Sequence, residues 1–144
     1  MDQRLDLITL AVPDLKAARD FYLRGLGWTA ALDLPEILFL QVGHGLLLGL
    51  FPAGDLAVDI GTAAPSAPSG FTLAHNVASP QEVDAVLHTA ADAGAKILKA
   101  GQRAEFGGYH GYFSDPSGVV WEVAHNSGWS VAADGRVTIV PIPQ

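Results

Sequence analysis

The order of apolar strands, helices and turns occurs twice along this chain, and this internal repeat restricts the fold more than any other feature. An offset of 65 residues aligns Asp14 with Ser79, each of which precedes a predicted helix. An offset of 73 residues aligns Gly45 with Gly118, each at the start of a predicted strand. Sequence identity between the halves is very low, so the repeat rests on the pattern and order of elements. Two βαβββ units are predicted, and such repeats usually pack as a pair around a shared cavity.

Each half begins with an apolar strand, followed by a helix with a clear start signal. In the first half residues 5–12 form the strand, and Asp14 is an N-cap. In the second half residues 70–77 form the strand, and residues 79–82 are a capping box with proline at the first helical position. Three further strands are predicted after each helix, at residues 28–32, 37–42 and 45–51 and at residues 96–102, 109–114 and 119–125.

The predicted organisation is a single domain over residues 1–144. Repeat one covers about residues 4–52, a linker rich in proline and alanine covers about residues 53–69, and repeat two covers about residues 70–126. The tail at residues 127–144 is expected to add a short strand or to cover one face.

Composition excludes several classes of function. Eight basic against fifteen acidic residues give a net charge of −7, which argues against nucleic-acid binding and against docking on an anionic membrane. No cysteine is present, so disulfides and thiolate metal sites are ruled out, and any metal must bind through His, Asp, Glu or Gln. The chain has neither a signal-peptide pattern nor an apolar run long enough to span a bilayer, so a cytoplasmic protein is expected.

Two blocks of sequence carry a family resemblance. They comprise residues 9–15, 21–22 and 25–28 at the front, and residues 107–109, 111–113, 115–116, 118 and 121–123 at the back. Together they resemble the vicinal oxygen chelate superfamily, which includes glyoxalase I, extradiol dioxygenases, fosfomycin-resistance transferases and bleomycin-resistance proteins. The resemblance covers about residues 5–126. It implies an α+β fold in which two βαβββ repeats form paired curved sheets around a pocket, and it implies a homodimer.

Metal-dependent members of this superfamily place ligands at four positions, on the first and last strands of each repeat. The resemblance maps these positions onto Leu7, Gly49, Thr72 and Glu122. Only Glu122 has a good ligand atom, whereas a catalytic metal site normally needs about three protein ligands. The usual metal site is therefore predicted to be absent, and no cofactor is expected.

Glu122 and two of the five histidines elsewhere in the sequence are the alternative set that could rebuild such a site. Strand alternation points His75, His110 and His125 away from the pocket, unless a β-bulge intervenes. His44 lies in a predicted turn and His88 in the second predicted helix. Structural, hydrogen-bonded histidines are the favoured interpretation.

Glu122 is a lone carboxylate among apolar residues, so it is expected to be paired, protonated or functional. The functional interpretation is a catalytic general base, or an acceptor for a donor group of a ligand. The alternative is a remnant of a metal-binding ancestor that is now hydrogen-bonded to Thr72, Thr9, Tyr109 or water.

Strand alternation and the positions of aromatic residues predict the rest of the pocket. The predicted ligand-pocket residues are Leu7, Thr9, Trp28, Phe39, Thr72, Asn76, Tyr109, Phe113 and Glu122. Phe106 is a further candidate for an aromatic wall. For each aromatic residue, ordinary core packing is the alternative.

Three main classes of function stay open, with a fourth role as the remainder. The favoured class is metal-independent binding or sequestration of a small organic molecule, aromatic or cationic, as in bleomycin-resistance proteins. The second is a metal-free enzyme of the isomerase or lyase type that uses Glu122 as general base. A metal-dependent lyase, transferase or dioxygenase is less favoured because its ligand positions are mostly empty, and a non-catalytic partner-binding role is the remaining alternative.

Overall fold

Two four-stranded sheets, each with a helix on one face, account for most of the structure. The structure is a computed structural model, and it describes residues 5–61, 71–104, 107–140 and 142. The described residues divide into two compact units. The first takes its residues from 1–71 and 116–119, and the second from 72–115 and 120–144.

The first unit is a βαβββ module followed by a short helix. Its strands are β1 (Leu7–Val12), β2 (Ala30–Leu34), β3 (Ile37–Gly43) and β4 (Leu46–Pro52), and its helices are α1 (Leu15–Arg19) and α2 (Ala53–Ile60). A π-helical turn at Asp20–Gly25 continues α1. The sheet has the order β1-β4-β3-β2, in which only the β1–β4 pair is parallel.

The second unit has the same order of elements and a C-terminal hairpin. Its strands are β5 (Leu73–Asn76), β6 (Lys96–Arg103), β7 (Tyr109–Ser114) and β8 (Val120–His125), and its helix is α3 (Pro80–Asp92). The sheet order β5-β8-β7-β6 is equivalent to that of the first unit. Strands β9 (Trp129–Val131) and β10 (Val137–Ile139) pair as an antiparallel hairpin within the predicted tail.

Strand register confirms the internal repeat at the level of single residues. Thr9 is paired with Gly49 across the parallel β1–β4 ladder, and Ala74 is paired with Glu122 across the parallel β5–β8 ladder. The offsets of 65 and 73 read from the sequence convert the first pair into the second. The α+β class and the two βαβββ repeats are therefore confirmed.

The helix starts predicted from the sequence are also confirmed. Asp14 Oδ1 accepts a hydrogen bond from the Ala17 backbone N–H at 3.0 Å. Ser79 Oγ accepts from the Glu82 N–H at 3.2 Å, and the Glu82 carboxylate accepts in return from the Ala78 N–H. These bonds satisfy N–H groups that a helix N-terminus leaves without partners.

In each unit a helix packs against one face of the sheet. In the second unit Val83, Leu87 and Ala90 of α3 are buried, as are Trp121 and Val123 of β8. In the first unit the buried residues of β1 are Leu10 and Val12, whereas Leu7 and Thr9 are exposed. The polar residues of the candidate site lie on the faces opposite these helices, with the exceptions described below.

Helix α2 occupies the first part of the predicted linker. The small residues of this stretch are typical of a linker, but alanine and leucine are also strong helix formers. Gly61, with φ of 72°, ends the helix in the left-handed conformation that glycine adopts without strain. Residues 62–70, the rest of the predicted linker, lie outside the described residues. In the described part of the chain no helix is long and apolar enough to cross a membrane.

We predict that Gly111→Ala destabilises the protein, because a Cβ at this position would overlap both α3 and the neighbouring strand β6. A Cβ at Gly111 would lie 2.5 Å from Leu87 Cδ1 and 2.8 Å from the Lys99 carbonyl oxygen. Overpacking of this kind lowers the free energy of unfolding by about 1–3 kcal/mol. Gly54→Ala is the matched control, since a Cβ on Gly54 of α2 has no neighbour within 4 Å. Urea denaturation of both variants measures the effect, and equal stabilities would contradict this packing.

Candidate functional site

Glu122 of β8 is hydrogen-bonded to two side chains of the neighbouring strand β7. His110 Nδ1 lies 2.8 Å from Glu122 Oε1, and the Tyr112 hydroxyl donates to the same oxygen at 3.0 Å. Tyr112 is directly opposite Glu122 in the antiparallel ladder, which places both side chains on one face. The side chains of His110 and Glu122 are 12% and 23% exposed. Glu122 is therefore a paired, partly buried carboxylate, but its partners are not those expected from the sequence.

Lys99 of β6 extends this group on the other side of the imidazole. Its Nζ lies 2.9 Å from His110 Nε2 and 5.8 Å from the centre of the Tyr112 ring. An ammonium group can only donate, so Nε2 accepts, and the proton of the neutral imidazole is on Nδ1, directed at Glu122. We call these four residues, Lys99, His110, Tyr112 and Glu122, the Glu122 cluster.

A β-bulge in β6 puts Lys99 on the face of Glu122. Ile97 is paired with Phe113, which is buried on the face that α3 covers. Strict alternation would place Lys99 on that same face. The register shifts between Ile97 and Lys99, however, so that Lys99 lies opposite Tyr112. Bulges commonly redirect side chains in this way next to functional sites.

Burial and the neighbouring carboxylate both disfavour ionisation of Tyr112. The pKa of Tyr112 is raised from its usual value of 10.0, first by desolvation, then by the hydrogen bond to Glu122 and by the negative charge of Glu122. The Tyr112 hydroxyl therefore stays protonated and donates to Glu122 throughout the physiological pH range.

Two predicted pocket residues of β7 lie on the other face of the sheet. Tyr109 donates from its hydroxyl to both carboxylate oxygens of Asp84 on α3, at 3.0 and 3.2 Å. Phe113 is buried and stacked on Trp121, with 6.3 Å between ring centres. The expectation that Tyr109 and Phe113 share a face with Glu122 is wrong. Alternation relates residues within a strand, whereas the match between strands depends on a register that the sequence does not state.

The register of β7 and β5 against β8 also determines on which face of this sheet each histidine side chain lies. His110 was expected to point away from the pocket, but it lies on the face of Glu122. His75 is paired with Val123, and His125 Nδ1 lies 3.3 Å from the Val77 carbonyl oxygen; both are on the face opposite Glu122, as alternation predicts.

Sequence reasoning missed Lys99 and Tyr112 as site residues. One signal was present, because His110 and Tyr112 alternate with Gly111 and Phe113, which gives β7 a polar and an apolar face. The position of Lys99 had no such signal, since it depends on the bulge.

Asn76 and Thr72 complete the predicted residues of the second unit. Asn76 is paired with Ala124, which puts it on the face of Glu122. Thr72 is exposed just before β5. Neither is hydrogen-bonded to Glu122 within the part of the chain that the structure describes. Phe106 lies outside the described residues.

Apolar contacts dominate the equivalent face of the first unit. A Cβ on Gly49 would lie 2.9 Å from Phe39 Cε1 and 3.3 Å from Leu7 Cδ1, so both side chains lie against the glycine. Thr9 is exposed opposite Gly49. Leu7, Thr9 and Phe39 thus share one face, as the sequence predicts.

Trp28 lines a separate cleft of the first unit. The π-helical turn positions it, because the Trp28 N–H donates to the Tyr22 carbonyl at 2.9 Å and the two rings are 5.2 Å apart. The cleft has a volume of about 350 Å³, and Thr29, Gln41 and Val42 form its other walls. An indole beside an amide and a hydroxyl is suited to a planar ring with polar substituents.

A second cleft lies on the helix side of the second unit, away from Glu122. Its volume is about 330 Å³, and its lining residues are Pro80, Arg103, Gly107, Gly108, Tyr109, His125 and Ser127. Tyr109 thus borders this cleft and not the face of Glu122 on which the sequence analysis placed it.

The side chains at the four family metal positions do not fit a metal ion. Leu7 and Gly49 have no donor atom, and the Phe39 ring lies against Gly49. Oε1 of Glu122 already accepts hydrogen bonds from His110 and Tyr112. Across residues 5–61, 71–104, 107–140 and 142, no three His, Asp or Glu side chains are grouped closely enough to hold a metal.

Two βαβββ modules with equivalent registers define a protein of the repeated-module α+β class. The chain belongs to the Glyoxalase/Bleomycin resistance protein/Dioxygenase superfamily, whose family model matches residues 4–123.

Solved structures agree with this assignment. A glyoxalase-related enzyme from Fulvimarina pelagi is 38% identical, with a TM-score of 0.88 over 96% of this chain and 99% of that chain. A glyoxalase/bleomycin resistance protein/dioxygenase from Nocardioides is 26% identical, with a TM-score of 0.71 over 87% of this chain and 84% of that chain. Lactoylglutathione lyase from Agrobacterium tumefaciens shares the fold at 22% identity, with a TM-score of 0.64 over 87% of this chain and 95% of that chain. No curated protein matches the chain.

We predict that Glu122→Gln lowers the pKa of Tyr112 towards 10.0, because the substitution removes the negative charge and leaves the burial. Asp84→Asn is the matched control, since it acts on Tyr109, whose pKa is raised by burial and then by Asp84. Tyrosine Cζ chemical shifts measured against pH distinguish the two residues.

The pKa of Tyr112 also determines a dependence of stability on pH. Because the folded-state pKa lies above the unfolded value near 10, the stabilisation is present below pH 10 and is lost as the pH rises above it. Tyr112→Phe is therefore expected to lose stability less steeply than the wild type above pH 10. Identical slopes would contradict the raised pKa.

Proposed function

We propose that this protein binds a small organic molecule at the Glu122 cluster and that it does so without a metal ion. The supporting observation is the orientation of Glu122. His110 and Tyr112 both donate to Oε1, and neither uses Oε2. A carboxylate held in this way can accept a hydrogen bond from a ligand through Oε2 with little further loss of conformational entropy, and such preorganisation increases affinity.

Metal independence is proposed from the donor set of the first unit. Where a metal-binding relative has ligand side chains, this chain has Leu7 and Gly49, with the Phe39 ring against the glycine. These residues favour apolar contact over coordination.

An aromatic ligand is proposed because the cluster itself contains two rings. The rings of His110 and Tyr112 lie 5.2 Å apart in an edge-to-face arrangement beside Glu122. Ligand sites typically combine ring surfaces of this kind with a few polar groups that fix orientation.

A metal-free isomerase or lyase with Glu122 as general base is the second candidate. The hydrogen-bonded series Lys99–His110–Glu122 favours this candidate. A general base needs neighbouring groups that hold it in position and that respond to the change in its charge when it takes up a proton. The relative from Fulvimarina pelagi is described as an enzyme, which supports the same candidate. In this mechanism Oε2 would remove a proton from a bound substrate.

A homodimer and a cytoplasmic location complete the proposal. Both rest on the family resemblance and on the sequence. Sedimentation equilibrium measures the subunit number, and a monomer at micromolar concentration would contradict the dimer.

We predict that Glu122→Gln weakens binding of the neutral probe 4-hydroxybenzamide by about tenfold, because a charged acceptor is replaced by a neutral one. The melting temperature should change little, since the glutamine oxygen can still accept from His110 and Tyr112. Glu36→Gln, at an exposed turn, is the matched control. Backbone amide chemical shifts of β7 and β8 follow the titration. Equal affinities for the wild type and Glu122→Gln, or a large loss of stability with binding intact, would contradict the proposal.

We also predict that protein purified without chelators contains no stoichiometric zinc, iron, nickel or manganese. Elemental analysis by mass spectrometry measures the content. A stoichiometric metal that is lost in Glu122→Gln would overturn the metal-independent proposal.

A further inference from the structure

We propose that Lys99 gives the Glu122 cluster a preference for ligands that carry a carboxylate. This inference rests on the proposed function, because it concerns the ligand of the same site. It assigns a role to a residue that the family's metal positions do not include.

The partners of Lys99 carry no negative charge. Its Nζ donates to His110 Nε2 and lies near the Tyr112 ring. Among the described residues no carboxylate oxygen lies within 4.0 Å of Nζ, whereas Lys16, Arg19, Arg24 and Arg136 each pair with an aspartate. An ammonium has three N–H donors, and the bond to Nε2 uses one of them. Lys99 is therefore a partly buried cation that forms no ion pair with any of the described residues.

The local backbone is shaped to bring that cation to the ligand face. Without the register shift after Ile97, Lys99 would point towards α3. Withdrawing an ammonium from water is unfavourable unless a partner compensates its charge. A ligand carboxylate would supply that charge, and hydrogen bonds between charged groups are the stronger ones.

The two charged ends of the cluster would bind different parts of one ligand. The imidazole of His110 separates Lys99 from Glu122, contacting one through Nε2 and the other through Nδ1. A carboxylate is repelled by Glu122 and attracted by Lys99, so it would bind at the Lys99 end. A hydroxyl or amino group of the same molecule would then donate to Glu122. The chemical class is an aromatic hydroxy acid or amino acid. Of the two alternatives that the sequence left open, aromatic or cationic, Lys99 disfavours the purely cationic one.

The test compares 4-hydroxybenzoate with its neutral amide, 4-hydroxybenzamide, on the wild type and on two variants of Lys99. Lys99→Met removes the charge and keeps the length of the chain, and Lys99→Arg keeps the charge. Lys96→Met, on the same strand and exposed, is the matched control. Dissociation constants come from amide chemical shifts of β7 and β8, with 4-(aminomethyl)benzoate as a further probe for the amino-acid form. Thermal melting verifies that each variant is folded.

The wild type, Lys99→Arg and Lys96→Met should bind 4-hydroxybenzoate about 10- to 100-fold more tightly than the amide. Lys99→Met should lose this preference and bind acid and amide with similar affinity. A preference for 4-(aminomethyl)benzoate over 4-hydroxybenzoate that also depends on Lys99 would identify the amino-acid form.

Equal binding of acid and amide by the wild type, or a preference that survives in Lys99→Met, would overturn the inference and leave the proposed function standing. Failure of the amide to bind at Glu122 would instead count against the proposed function.

Discussion

The hydrogen bonds that Glu122 receives from His110 and Tyr112 are the interaction on which the candidate site depends. A carboxylate that is 23% exposed on a sheet face is poorly hydrated and needs donors. Here the neighbouring strand supplies both donors to one oxygen, and an ammonium beyond the imidazole fixes the direction of the series. The position that the family resemblance maps onto a metal ligand thus belongs to an organic hydrogen-bonding cluster.

The pairing of β6, β7 and β8 is what assembles that cluster. Tyr112 is opposite Glu122 on one side and opposite Lys99 on the other, so its ring lies at the centre of three strands. The bulge in β6 is essential, because a regular strand would turn Lys99 towards α3. A single glycine on β7, Gly111, lets α3 pack closely against the opposite face of the same strands. The face under the helix and the face that carries the Glu122 cluster are therefore shaped by the same three strands.

The sequence predicted the repeated modules and the capped helix starts, because each depends on local signals. Asp14 and Ser79 begin helices through hydrogen bonds that span three residues, and the offsets of 65 and 73 reproduce the strand register. The partners of Glu122 could not be predicted in the same way. His110 and Tyr109 were assigned to the wrong faces because strand alternation does not reveal how neighbouring strands match. Lys99 reaches the site through a bulge that leaves no clear mark in the sequence.

Anomalous diffraction from crystals grown with zinc or manganese would test most directly whether an organic hydrogen-bonding cluster has replaced the metal position. We expect His110 and Tyr112 to remain hydrogen-bonded to Glu122 Oε1, with no anomalous peak within coordination distance of that carboxylate. An ordered metal coordinated by Glu122, with His110 and Tyr112 displaced from Oε1, would contradict the central claim.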